Sequence, residues 1–442
     1  MRDLLRNMIA RRREGIMCGV PSYCTANEFV IEAVLSQAKR FDDQILIEAT
    51  ANQVNQFGGY TGMQPADFKE FVYGIADRLD FPQENIVLGG DHLGPLTWAD
   101  EKEEDAMAKA ETLVRLFVQA GYKKIHLDTS MRLADDSREE RLSDEVIAAR
   151  GAVLYAACEE EYQKLLIKNP RELRPVYIIG SEVPIPGGAQ EEEDSITVTR
   201  PEAVEKTLKA YREQFAKAGL KDAFENIIGV VVQPGVEFGD DTVFHYNRFR
   251  AANLCETMKK YEGMVLEGHS TDYQSPEGLK KMVEDGIAIL KVGPALTFAL
   301  RDGLFALGQM EKVLIQEEKR VNFEDVLEKA MLENPGNWKK HYHGAEEELA
   351  VKRKYSYSDR CRYYFAGRKV QEAMEKLIDN MNSVEIPLGL LHQFMPIQYV
   401  KVRDGKLAKE ARALVLDSVN EIVEAYNYAV KYHYVIGEVF TA

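Results

Sequence analysis

The run Ile86-Val-Leu-Gly-Gly-Asp-His-Leu-Gly-Pro95 sets a carboxylate beside an imidazole where an apolar stretch breaks into glycines. A run of that length ending in turn residues reads as a buried strand feeding a loop. An Asp-His pair at such a point can hold a metal through the imidazole and move a proton through the carboxylate. The pattern recurs along the chain. Glu48, with Asn52 and Gln53 just beyond, ends the run Gln44–Thr50, and Asp128 and Ser130 follow Lys124-Ile-His-Leu127. Glu182 follows Val176–Gly180, Gln233 ends Ile227–Gln233, His269 and Ser270 follow Met264–Glu267, and Lys291 stands near the end of Ala288–Val292.

The elements that carry these residues form a regular series. Eight apolar runs alternate with eight stretches of helical spacing over about 310 residues, which implies parallel βαβ units. Helix signals agree, with Ser143 before a long helix, Pro201 at the start of another, and Gly121 and Gly219 at helix ends. Eight units predict a closed (β/α)8 barrel, the TIM-barrel fold, over residues 1–316. A doubly wound sheet is the competitor, but no Gly-x-Gly-x-x-Gly fingerprint follows the first strand. Residues 317–442 lose the strand pattern and read as a helical extension packed on the barrel.

In such barrels chemistry sits where strands end, so the polar residues above should share one rim. His92 and His269 are candidate metal ligands, with Glu182 and the amide oxygen of Gln233 able to complete a set. Asp91 and Asp128 are the candidates for proton transfer. His126 points to the same side of its strand as Asp128 but one layer deeper, and reads as a core histidine. Anion binding is expected from the loops after strands seven and eight, Gly268–Gln274 with Ser270, Thr271 and Asp272, and Gly293–Thr297. Arg360, with Arg362, is a second basic candidate, since arginine suits bidentate phosphate contacts.

Composition narrows the partners. A net charge of −16 argues against general affinity for nucleic acid or anionic lipid. Five scattered cysteines make neither a disulfide framework nor a metal-type pair. No signal peptide and no run of ~20 apolar residues is visible, so the expectation is a cytoplasmic protein with no membrane span.

Several long motifs resemble one family. Asn52–Gly62, Gly89–Pro95, Val231–Phe238, Gly268–Gln274 and Leu290–Phe298 are similar to the Z-type subunit (GatZ/KbaZ) of class II D-tagatose-1,6-bisphosphate aldolases, and the similarity extends to Tyr355–Arg360. The resemblance implies chemistry on a ketose phosphate and a Y-type aldolase subunit as partner. Some Z-like proteins act alone as 4-epimerases that interconvert fructose 6-phosphate and tagatose 6-phosphate. Distant class II aldolases imply zinc, with manganese, nickel or cobalt as substitutes, and no nicotinamide. By that likeness Asp91 is the proton-transfer acid and His92 and His269 are ligands. The remaining histidine ligand would fall near Gln233, where Glu182 could compensate. Glu48, Asn52, Gln53, Lys291 and Gly293 are expected to meet substrate. Aldolase, epimerase, non-catalytic subunit and homo-oligomer all remain open at this stage.

Overall fold

The computed structural model describes residues 3–139, 141–181 and 196–431. Strands β1 (Val20–Cys24), β2 (Ile45–Thr50), β3 (Ile86–Leu93), β4 (Lys124–Leu127), β5 (Val176–Ile179) and β6 (Ile227–Val232) run in parallel. A small antiparallel hairpin, β7 (Glu237–Phe238) and β8 (Val243–Phe244), interrupts the series. β9 (Val265–Gly268) and β10 (Ile287–Val292) are the seventh and eighth barrel strands, and β10 pairs with β1 to close the barrel. The (β/α)8 TIM barrel expected from the strand count is the observed fold. Strands such as β3 and β6 are buried at every position, as a parallel sheet covered on both faces requires.

The barrel's helices are α1 (Leu4–Arg13), α2 (Glu28–Phe41), α3 (Pro65–Arg78), α4 (Glu103–Gln119), α5 (Asp144–Lys168), α6 (Pro201–Lys217), α7 (Arg248–Met258), α8 (Pro276–Glu284) and α9 (Pro294–Leu314). Ser143 caps α5 by accepting from the Val146 N–H, and Pro201 opens α6. α1 buries Leu5, Met8 and Ile9 against Val20, Leu46, Val87, Val176 and Ile228 from the strand starts. That plugs one end of the barrel.

The extension contributes α10 (Phe323–Glu333), α11 (Glu346–Tyr355), α12 (Arg368–Asn382), α13 (Leu388–Phe394), α14 (Pro396–Arg403) and α15 (Ala411–Val430). α15 packs against α2, α8 and α9 and touches β1, so the last described helix lies in the barrel's outer ring. Gly19 N–H donates to Val430 O at 3.2 Å, and Tyr426 Oη meets Thr271 Oγ1 at 2.8 Å. Barrel and extension share one apolar core. Among the described residues, no helix is long and apolar enough to cross a membrane.

Candidate active site at the barrel mouth

The end of β3 is deformed to present its two polar residues. Pairing with β4 shifts register between Gly90 and Leu93, and His92 takes a left-handed backbone conformation with φ 48°. A bulge of this kind re-aims side chains at a sheet end, and a non-glycine residue there is strained. The neighbouring glycines make room. A Cβ at Gly89 would stand 2.5 Å from Glu48 Oε1, and one at Gly94 only 1.7 Å from the Asp128 carbonyl oxygen.

Three imidazoles meet at this point. The rings of His92, His126 and His269 form a triangle with centroid separations of 5.0, 4.9 and 5.2 Å. Each has one nitrogen held by a carboxylate. His92 Nδ1 lies 2.7 Å from Asp128 Oδ2, His126 Nδ1 lies 2.9 Å from Asp91 Oδ1, and His269 Nε2 lies 3.0 Å from Glu267 Oε1. These partners assign the tautomers, since an ionised carboxylate requires a donor opposite it. His126 Nδ1 also lies 3.2 Å from the backbone N–H of His92, but the shorter, charge-assisted contact decides. His92 Nε2, His126 Nε2 and His269 Nδ1 are left with free lone pairs.

A metal ion is what such a set accommodates. Ligand atoms of Asp91, His92, His126 and His269 all lie within 4.8 Å of one another. His126 Nε2 is buried with no hydrogen-bond partner, an orphaned polar atom that needs an explanation. Imidazole nitrogens oriented by carboxylates are the usual ligands of zinc, cobalt, nickel and related ions. The residues therefore fit a divalent metal, with Asp91 beside it.

Electrostatics keep the carboxylates ionised. Burial pushes the Asp91 carboxyl up, but His92, Lys291, His126 and His269 outweigh it and hold it well below the ordinary value. Burial likewise opposes the charge on Asp128 and Glu267. His92 and Lys124, respectively, are the main causes that depress them. His92 is raised, because Asp91 and then Asp128 overcome the effect of burial. His269 is lowered to about 4, chiefly by burial, and is neutral at pH 7. Beneath the imidazoles runs an alternating chain of charge. Lys124 Nζ bridges Glu48 at 2.7 Å and Glu267 at 2.8 Å, while Lys291 pairs with Glu48 and, at 2.6 Å, with Asp91. All five residues are buried.

Above this layer opens a cavity of about 210 Å³. Asp91, His92, His269, Ser270, Asp272 and Lys291 line its barrel side. Asn52, Gln53 and Tyr60 come from the loop after β2, and Arg362 and Tyr363 from the extension.

Residues 5–431 match the family model described as D-tagatose-1,6-bisphosphate aldolase subunit GatZ/KbaZ-like. The D-tagatose-1,6-bisphosphate aldolase subunit GatZ of Salmonella paratyphi B is 44% identical over 424 residues, covering 96% of this chain and 98% of that protein. The same subunit from Salmonella typhimurium is 44% identical over 427 residues, again with 96% and 98% covered. The chain belongs to the GatZ/KbaZ-like family. A crystal structure described as a probable tagatose 6 phosphate kinase from Sinorhizobium meliloti 1021 superposes with a TM-score of 0.85 at 44% identity, covering 93% of this chain and all of that one.

In this GatZ/KbaZ-like chain the expected residues divide. Asp91, His92, His269, Ser270, Asp272, Lys291, Gly293, Asn52 and Gln53 reach the cavity. Glu48 lies just below it, paired to both lysines. Others do not line it. Asp128 accepts from His92 Nδ1 and from Ser130 N–H and Oγ, so its carboxylate orients the imidazole instead of facing substrate. Gln233 Oε1 accepts the Gly235 and Val236 N–H groups and caps its own turn, which leaves no free oxygen for a metal. Thr271 Oγ1 donates to Lys291 O. Arg360 donates to Asn337 O, and Arg362 is the arginine that lines the cavity. Glu182 lies outside the described residues. His126, expected to be a core histidine, is buried but stands within 5.0 and 5.2 Å of the other two rings with its Nε2 unpartnered. Lys124 and Glu267 were not anticipated. Their signal was a charged residue inside a strand, at an even spacing from Asp128 and His269.

Proposed function

We propose that the barrel mouth carries out metal-assisted retro-aldol and aldol chemistry at C3–C4 of a ketose phosphate. The observation that carries this reading is the triangle of His92, His126 and His269, each fixed by a carboxylate through one nitrogen and each with the other nitrogen free, with ligand atoms of all three and of Asp91 within 4.8 Å of one another. A bound divalent metal, zinc first among the candidates, would supply Lewis-acid polarisation of the ketose carbonyl. Asp91 accepts the proton of the C4 hydroxyl. The C3–C4 bond then breaks, its electron pair passes to the C2 carbonyl oxygen, and an enediolate and an aldehyde result. Lys291, 2.6 Å from Asp91, keeps that carboxylate ionised between turnovers and balances its charge. Asp128 and Glu267 hold the imidazoles in register, and the cavity walls exclude water from the enediolate. Release of the aldehyde gives an aldolase. Rotation of the aldehyde in place followed by bond re-formation gives a 4-epimerase that interconverts fructose 6-phosphate and tagatose 6-phosphate.

A second reading is a non-catalytic subunit that stabilises a Y-type aldolase, favoured by the word "subunit" in the relatives' names. One assay separates the readings. Purified chain is incubated with fructose 6-phosphate or tagatose 1,6-bisphosphate and zinc, manganese, cobalt or nickel, without partner, and tagatose 6-phosphate and triose products are followed separately. Turnover abolished by His92→Ala, His126→Ala or His269→Ala supports the metal-assisted reading. Absence of turnover with every metal, even at high protein concentration, defeats it in favour of the stabilising subunit. An arm with ATP and magnesium tests the kinase description of the Sinorhizobium protein.

A further inference from the structure

We propose that Arg362 of the extension is the residue that reads the substrate's phosphate, and that the cavity takes one phosphate and not two. This rests on the ketose phosphate reading for the identity of the sugar, but its own evidence is separate. Barrels commonly hold phosphate on the loops after their last two strands and on a helix N-terminus there. Here that place is filled by the chain itself. Asp272 Oδ1 accepts the Gly293 N–H at 3.0 Å and the Ala295 N–H at 2.8 Å, at the start of α9. A phosphate entering there would meet a carboxylate already holding the donors.

The cavity's cations decide where an anion goes instead. Among the described residues, Lys291 and Arg362 are the two lysine or arginine side chains that line it. Lys291 is neutralised by Glu48 and Asp91. Arg362 has no carboxylate within ion-pair distance among the described residues. Its Nη1 donates to the carbonyl oxygens of Ser358 and Asp359, and its Nη2 to Tyr363 Oη at 2.9 Å. These contacts fix the guanidinium, which also lies over the Tyr363 ring at 4.5 Å, but they carry no opposing charge. Nε–H and one Nη2–H remain without a protein partner, two donors for a phosphate's oxygens. Arg360, two residues away on the same turn and also without a carboxylate partner, adds like charge. Arg362 is half-buried, with its guanidinium held by carbonyl oxygens and a phenol and no carboxylate in contact, so a bound dianion gains a charge-assisted contact there. The loop after β2 closes the opposite wall, with Tyr60 edge-on to Tyr363 at 4.9 Å.

Among the described residues lining the cavity, a second phosphate would find no other unpaired lysine or arginine. On the barrel side it would face Asp91 and Asp272, with Lys291 already paired. The sugar's unphosphorylated end therefore faces the imidazoles, and its phosphate faces the extension.

Titration calorimetry on the zinc-loaded full chain tests this without relying on turnover. Fructose 6-phosphate should bind on the order of tenfold to a hundredfold more tightly than fructose, the range of a charged hydrogen-bonded contact. Fructose 1,6-bisphosphate should bind more weakly than the monophosphate. Arg362→Gln should bring fructose 6-phosphate to the level of fructose while leaving fructose itself unchanged, and Arg362→Lys should fall between. A bisphosphate that binds as tightly as the monophosphate overturns the single-phosphate inference, and this comparison needs only wild-type protein. An unchanged preference for fructose 6-phosphate over fructose in Arg362→Gln overturns the assignment of Arg362. Should wild-type protein bind with the expected preference yet turn nothing over, the chemistry proposed above fails and this assignment stands.

Discussion

Replacing Asp128 with alanine separates two effects that act on the same histidine in opposite directions. Asp128 Oδ2 lies 2.7 Å from His92 Nδ1 and fixes the ring and its tautomer, which leaves Nε2 free 3.8 Å from Asp91 Oδ2. Loss of a carboxylate that orients a metal-binding histidine weakens metal affinity by roughly 10- to 100-fold, or about 1.4–2.7 kcal/mol. Asp128 also helps Asp91 raise the proton affinity of His92. Its removal lets the proton leave more readily, so the metal has a weaker competitor. Asp91 also raises His92 and remains in place, so the relief is partial and the loss of orientation should dominate.

The two contributions separate with pH. At about pH 9 fewer protons compete for His92 than at neutral pH, so the orientation effect carries more of the difference. Near about pH 6 the relief of competition offsets part of it, so the difference between variant and wild type should shrink. Asp128→Asn keeps an acceptor opposite Nδ1 but loses the charge, and should lie between wild type and alanine. Zinc affinity measured by competition with a chromophoric chelator at both pH values, and cobalt(II) absorption, give the readout. Asp128→Ala protein that binds zinc as tightly as wild type at the higher pH would refute the assignment of His92 as a ligand oriented through Asp128.

Two further perturbations probe the buried charges. Burial raises the Asp272 carboxyl to about 6 against the opposing N–H groups of Ala295 and Gly293, so the folded chain holds a proton that the unfolded chain has lost. Stability should then decline as pH rises from about 4 to about 6, by an amount of order 3 kcal/mol. Asp272→Asn, which keeps the acceptor, should flatten that part of the melting-temperature profile, and an unaltered slope would contradict it. Lys124 is wholly buried between Glu48 and Glu267, so Lys124→Met strands two carboxylates beside single partners. A loss of about 3–5 kcal/mol, seen as a lower urea midpoint, is expected. A variant as stable as wild type would show that the Glu48–Lys124–Glu267 bridge contributes nothing net.

The barrel was legible in the sequence because parallel strands covered on both faces leave unbroken apolar runs, and the helices between them carry their own stop signals. The strand-end rule found Asp91, His92, His269 and Lys291 for the same reason, since a polar residue closing an apolar run has few other places to point. It failed where height in the barrel depends on register between strands, which one sequence does not state. With Gly90 paired to Ile125 and Leu93 to Leu127, His126 stands level with the bulge at Asp91 and His92, although it lies two residues before the end of its own polar series. Strand tilt brings residues at different distances from their strand ends to one level. Glu267 and Lys124 were missed in the same way. The two arginines of the extension show a different limit. Arg360 and Arg362 stand on a 3-10 turn, where residues three apart share a face, so residues two apart diverge and only one of them reaches the cavity. The spacing told that a basic residue would come from this turn, but the choice between them depended on how the turn docks on the barrel. The expectation at Gln233 has the same origin: the third imidazole of the cluster, His126, stands on β4, two strands round the barrel from β6, at a height that only the register between strands reveals.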